Sequence, residues 1–277
     1  MAPTNDARLS IVLSTHQAQF EAVAFKGDFD TNISKIAKWG YSGVELAIRD
    51  PRLVDVELLG KSLEAHGLKV PAIGTGQAWG EEHLSFTDPD VQVRNAAISR
   101  IKDHIQLARR LNAMVIIGLI RGITPPGQSK QQSMQYLRDS LMECTEAAAA
   151  HGVRLAMEPL NRYETDLIHT IREGLEFIGQ MGSPNLGLLL DTFHMNIEEA
   201  IIEESIRMCG MHIFHFHVAD SNRWHPGGGH LDFAAILEAL QSTGYQGWIS
   251  GEFMPLPDAD TAAQRSISFL KKIILTR

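Results

Sequence analysis

The chain has 277 residues, a formal net charge of −8 at pH 7, 44 % hydrophobic and 21 % charged residues, and two cysteines. The composition is ordinary for a soluble globular protein, and the acidic balance argues against a nucleic-acid or anionic-membrane partner. No apolar run approaches the length of a membrane span, the opening MAPTNDARLS lacks the pattern of a secretory signal, and nothing pairs Cys144 with Cys209; these features predict a soluble, cytoplasmic protein.

Short apolar runs of strand type alternate with segments of helical period. A strand over residues 9–14 is followed by a helix near 30–39, then a strand at 43–47 and a helix at 53–66. The third strand is expected at 69–73. The string GTGQAWG, residues 74–80, reads as a tight loop and Glu81–His83 as a solvated loop face. A long helix over 91–111 follows, with Ala97, Ile101, Ile105 and Ala108 three or four apart on one buried face. The fourth strand is expected at 114–120 and its helix at 130–151, stopped by Gly152. The rest reads as a strand at 153–157, helix 167–181, strand 186–190, helix 201–209, strand 211–218, helix 233–242, strand 248–251 and helix 261–274. Eight strand–helix units with near-continuous apolar strands predict one α/β domain over residues 1–277, a closed (β/α)8 TIM barrel. An open doubly wound sheet fits less well, because no GxGxxG opens a helix after the first strand.

Four of the later runs end in side chains that bind metals: Glu158, Asp191, His217 and Glu252, spaced 33, 26 and 35 residues apart. A carboxylate at the end of a buried strand is costly unless something compensates its desolvation. The C-terminal strand ends of a barrel form its active-site face, so the four residues predict one divalent-metal site on its rim. Three carboxylates and one imidazole suit Mn²⁺, Co²⁺ or Mg²⁺, with Zn²⁺ also compatible. Taken singly, each residue could equally be a satisfied buried polar group, and Asp191 a cap. His215, two residues before His217, should face the same side and reads as a hydrogen-bonded core histidine. His194, in what reads as a loop, is expected to reach the substrate. In the glycine-containing loop 221–230, expected to be mobile or closely approached, Arg223 is expected to meet a substrate oxygen. Arg49 and Arg121 stand past the ends of the second and fourth strands, where with Arg223 they would make the mouth locally positive, although each taken separately reads more readily as a salt-bridge partner.

These residues resemble the xylose-isomerase-like barrel superfamily and, within it, the ketose 3-epimerases. The strings that carry the resemblance are ExLNRxE at residues 158–164, LDTFHMNIEE at 190–199, and NR six residues beyond His217. The resemblance implies metal ligation by Glu158, Asp191, His217 and Glu252, and substrate binding by Glu164, His194 and Arg223. STHQAQFEAVAFKGD, ELAIRDP, AIGTGQA and VIIGLIRG in the first half are similar to the 5-keto-L-gluconate epimerase branch. That similarity implies a sugar-acid substrate such as 5-keto-L-gluconate or D-tagaturonate, its carboxylate met by cationic or polar groups among Lys26, Arg49, Gln77 and Arg121, with Arg121 first. A homodimer or homotetramer is also implied.

The chemistry expected is inversion of the carbon beside a ketone, with Glu158 and Glu252 as the two bases and a cis-enediolate stabilised by one metal ion. Neutral-ketose 3-epimerisation (D-tagatose, D-psicose, L-ribulose) and aldose–ketose isomerisation of the hydroxypyruvate isomerase type are the competing enzymatic readings. A metal-dependent abasic-site nuclease and a non-catalytic sugar-binding protein fit the charge and the opposed carboxylates less well.

Overall fold

A computed structural model describes residues 8–275, so the opening segment read for a secretory signal lies largely outside the described residues. Eight parallel strands follow one another around the molecule: β1 Leu9–Ser14, β2 Gly43–Ala47, β3 Ala72–Gly74, β4 Met114–Ile117, β5 Leu155–Met157, β6 Leu186–Asp191, β7 Ile213–Val218 and β8 Ile249–Gly251. Each pairs with the next, and Leu9, Ser10 and Ile11 of β1 pair with Ile249, Ser250 and Gly251 of β8, closing the barrel. A two-residue strand, Phe25–Lys26, adds to β1 outside this ring.

Alternation along the strands separates a main core from smaller clusters. Side chains such as Ile11, Val44, Leu46, Val115, Ile117, Leu155 and Leu188 join the helices in the main core. Ala72, Met114, Ile116, Ala156 and Leu189 form a second, smaller cluster. Because successive strand side chains face opposite ways, Ala156 shares a face with Glu158, Leu189 with Asp191, and Ser250 with Glu252. On β7 the register slips: Leu188 pairs with Ile213 but Leu189 with His215, so Phe214 is an extra residue in the ladder. The ring of Phe214 occupies the space a Cβ at Gly187 would need, which explains a glycine inside β6.

The long helices follow their apolar periodicity: Val91–Leu111, Lys130–His151 and Phe233–Ser242 lie where the sequence predicts them. Thr170 and Glu173 form a reciprocal capping box that starts Ile171–Met181 later than the hydrophobic pattern suggests. The third and fourth strands are shorter than predicted. Lys69 keeps only an isolated bridge to Gly43, and β4 stops before a 3-10 turn, Leu119–Arg121. Two segments expected as loops are helical: Gly76–Glu82 after β3 and Thr192–Glu198 after β6. Both are a short two turns, too brief for periodicity to reveal. Among the described residues, no helix is long and apolar enough to cross a membrane.

Candidate metal centre and active-site cavity

Glu158 and Glu252 immediately follow β5 and β8, Asp191 ends β6, and His217 is the penultimate residue of β7. The strand ladder fixes their separation: the backbone N–H of Glu158 donates to Ile117 O at 3.2 Å, and that of Glu252 to Val218 O at 3.3 Å. One ligand atom from each of the four residues falls within 4.8 Å of all the others. Nδ1 of His217 lies 3.9 Å from Oε1 of Glu158 and 3.8 Å from both Oδ2 of Asp191 and Oε2 of Glu252. Asp191 also caps the helix after it, Oδ1 accepting from the Phe193 N–H at 2.7 Å while Oδ2 stays unpartnered. The capping reading of Asp191 holds, and it leaves one oxygen free to face a cation.

Oε1 of Glu158, Oδ2 of Asp191 and Nδ1 of His217 are buried atoms without a hydrogen-bond partner among the described residues. Leaving three such atoms unsatisfied side by side would cost several kcal/mol, on the order of 1–3 kcal/mol each. A divalent cation satisfies all three, so the donor set fits the expected ion. The electrostatics of the bare site agree. Burial, with Glu252 and Asp191 close by, lifts the Glu158 carboxyl well above the usual range. Burial lifts Asp191 too, and brings Glu252 up to about 7 against the pull of His217 and Arg223. Burial opposes a charge on His217, but Glu45 and Glu252 hold its pKa well above the ordinary value.

His194, Glu164 and Arg223 gather beside these four. Asn161 Nδ2 donates to Nδ1 of His194 at 2.7 Å and to Oε1 of Glu164 at 2.9 Å. Burial, then the nearby Arg223, keeps the His194 imidazole neutral, so with Nδ1 accepting, the ring proton sits on Nε2. That nitrogen has no hydrogen-bond partner among the described residues and lies 3.8 Å from Glu158 and 4.0 Å from Asp191. Arg223 donates to Glu164 at 2.9 Å, approaches Oε2 of Glu252 at 3.5 Å, and is flanked by the rings of Phe20 and Phe193. Its backbone has a positive φ of 61°. The loop around it is ordered, because the fully buried Asp220 accepts from the N–H groups of Ser221, Gly227 and Leu231. Asn161 lies inside the ExLNRxE string and Asp220 two residues before the NR pair, and the sequence reading assigns a role to neither.

The cavity above the centre has a volume of about 290 Å³. Val12, Phe20, Val23, Ala47, Trp79, Ile116, Leu119 and Leu160 give much of its wall an apolar character. Gln77 also lines it, donating to Ser14 Oγ at 3.0 Å and leaving Oε1 unpartnered. Three sequence expectations change here. Arg121 is completely buried, does not line the cavity, and among the described residues has no hydrogen-bond partner for any guanidinium nitrogen; burial draws its pKa down to about 10. The 3-10 turn that ends β4 early takes it away from the mouth. Arg49 is held by Glu81 at 3.1 Å and Glu82 at 3.2 Å, and lies outside the cavity. Glu81 is itself on the cavity wall, on the helix Gly76–Glu82 rather than a solvated loop. Among the described residues, no Lys or Arg except Arg223 lines this space.

A family model described as xylose isomerase-like TIM barrel matches residues 33–273. The chain is 32 % identical over 243 residues to an L-ribulose 3-epimerase of Mesorhizobium japonicum, covering 87 % of this chain and 80 % of that one. It is 33 % identical over 229 residues to a D-psicose 3-epimerase of Ruminiclostridium cellulolyticum, covering 80 % and 77 %. A solved structure of L-ribulose 3-epimerase superposes with a TM-score of 0.84 at 29 % identity, covering 98 % of this chain and 95 % of the other.

Proposed function

Because the chain belongs to the xylose isomerase-like TIM barrel family, we propose that it is a divalent-metal-dependent epimerase that inverts C3 of a neutral, non-phosphorylated ketose. The observation that carries this reading is the pair of carboxylates, Glu158 and Glu252, which follow strands three steps apart in the eight-stranded ring and close, with Asp191 and His217, on one point where unpartnered ligand atoms converge. Inversion beside a ketone needs a proton taken from one face of the carbon and one returned on the other, and two opposed carboxylates supply both. Which carboxylate serves which face depends on the configuration of the sugar.

Glu158, Asp191, His217 and Glu252 would hold one Mn²⁺, Co²⁺ or Mg²⁺ ion, which when bound supplies Lewis-acid stabilisation of the negative charge that develops on the substrate's oxygens. The remaining steps belong to the chain's own groups. The Nε2–H of His194 donates to an oxygen at the reacting end, and Arg223, fixed by Glu164 and the two flanking rings, donates to another. Asn161 fixes the His194 tautomer and Glu164 together, which makes the donors rigid before substrate arrives. The apolar wall excludes water from the carbon that loses its proton.

The far wall favours a neutral sugar over the keto acids 5-keto-L-gluconate and D-tagaturonate. A substrate carboxylate there would need a charged donor, but Arg121 is sealed in the core, Arg49 is occupied by two carboxylates, and Glu81 adds a negative charge. The relatives named above, an L-ribulose and a D-psicose 3-epimerase, support the same choice. The test is a product screen by NMR on metal-reconstituted protein, with L-ribulose, D-psicose and D-tagatose set against the two keto acids. Higher kcat/KM for a neutral ketose is expected; preference for a keto acid would overturn the substrate assignment, and aldose products would overturn the epimerase one.

A further inference from the structure

Glu45 lies in the middle of β2, completely enclosed by the barrel, where an apolar side chain would be the ordinary occupant. Its carboxylate reaches β7. Oε2 is 2.7 Å from Nε2 of His215, and both oxygens are 3.0 Å from Nε2 of His217. The two imidazoles stand edge to face with centroids 5.1 Å apart. These contacts are direct hydrogen bonds, and the shortest leaves no room for an ion between carboxylate and ring. The opposite nitrogen of His217, Nδ1, is the unpartnered atom facing Glu158, Asp191 and Glu252.

We propose that Glu45 is a positioning residue for the metal centre: it holds the proton of His217 on Nε2, so that Nδ1 presents its lone pair to the cation, while His215 holds Glu45 in place. This rests on the metal site proposed above. An imidazole can ligate through Nδ1 only if its proton is elsewhere, and a carboxylate at Nε2 both fixes the tautomer and makes the ring a stronger donor. Both rings of the HFH string are explained at once. His217 faces the metal, while His215, two residues earlier on the same side of the strand, completes the support of the carboxylate that orients it. Without His215, Glu45 would have a single ring to anchor it across the interior of the barrel.

Replacing such a supporting carboxylate weakens metal affinity by roughly 10–100-fold. Glu45→Gln should therefore bind Mn²⁺ weaker by that factor in an EPR titration. A smaller loss, about severalfold, is expected for His215→Gln, which keeps Glu45 but loosens its anchor. A readout independent of either variant is the proton NMR spectrum of the Co²⁺-loaded wild type. There, a hyperfine-shifted, solvent-exchangeable His217 Nε2–H should be visible and slow to exchange, and it should broaden or vanish in Glu45→Gln. Circular dichroism and melting curves on both variants separate loss of fold from loss of orientation. Unchanged Mn²⁺ affinity in folded Glu45→Gln, or a wild-type spectrum lacking the slow exchangeable proton, would overturn the proposal. If wild-type protein binds no divalent ion, the metal reading fails first and carries this one with it.

Discussion

Nε2 of His194 stands 3.8 Å from Oε1 of Glu158, and neither atom has a hydrogen-bond partner among the described residues. Since Asn161 occupies the other ring nitrogen, the imidazole is a fixed, neutral donor aimed at the place where substrate oxygens must lie. His194→Phe should lower kcat/KM by about a hundredfold, the usual loss for one donor to a developing oxyanion. Metal affinity should stay within a few-fold of wild type. Steady-state kinetics beside a Mn²⁺ titration reads both, and a collapse of metal binding would place His194 among the ligands instead.

Glu158→Gln and Glu252→Gln should each abolish turnover, because inversion needs both carboxylates. The useful contrast comes from variants whose metal occupancy has been measured and equalised. In D₂O, one of them should still exchange the C3 proton without inverting the carbon, since the base on one face remains. Full turnover by either loaded variant would contradict the two-base scheme.

The metal-free protein should lose stability as pH rises above about 6.5, the ordinary imidazole value; below it His104, His194 and His215, which burial holds under that value, oppose the trend. Burial brings the Glu252 carboxyl to about 7 in the fold against 4.5 in a free carboxylate, so between these values this group holds more proton in the folded state than in the unfolded one. Glu158 and Asp191 are raised as well, and His217, lifted above its ordinary value, extends the decline past neutrality. Below pH 4.5 the sign reverses through Glu45, which His217 and His215 hold far below the usual range despite its burial. Urea melts of chelator-treated protein at pH 6.5, 7, 7.5 and 8 should show falling midpoints. Metal affinity should rise over the same interval, because the cation competes with these protons. Midpoints that climb with pH would contradict the assignment of these groups to one bare, mutually repelling cluster.

Glu81 offers a test of the far wall. Glu81→Gln removes its negative charge and releases Arg49 from one of its two carboxylates. Activity on 5-keto-L-gluconate should increase by about tenfold, roughly 1.4 kcal/mol, while activity on a neutral ketose changes little. Equal effects on both substrates would mean that Glu81 does not face the end of the sugar that distinguishes them.

The sequence made the barrel legible because its strands are continuous apolar runs and its long helices repeat their apolar faces. Glu158, Asp191, His217 and Glu252 were readable for a related reason: each interrupts an apolar run at the same end of a strand, and four such interruptions in successive units converge in a closed barrel. Glu45 was not readable. It sits inside a strand, and its partners are 170 and 172 residues away, a separation for which local pattern holds no signal. Arg121 failed differently. Its place after the fourth strand was right, but the 3-10 turn Leu119–Arg121 directs the side chain into the core. For Arg49, the missing information was the helix Gly76–Glu82, which brings two carboxylates to its guanidinium.

The central claim is proton exchange at C3 between two carboxylates, and one measurement reaches it directly. Wild-type protein loaded with Mn²⁺ is incubated with L-ribulose or D-psicose in D₂O, the metal is then removed, and substrate and product are read by NMR. The account predicts deuterium at C3 in the inverted product, with C1 left unlabelled and no aldose formed. Deuterium at C1 with an aldose product, or inversion without any solvent label at C3, would contradict it.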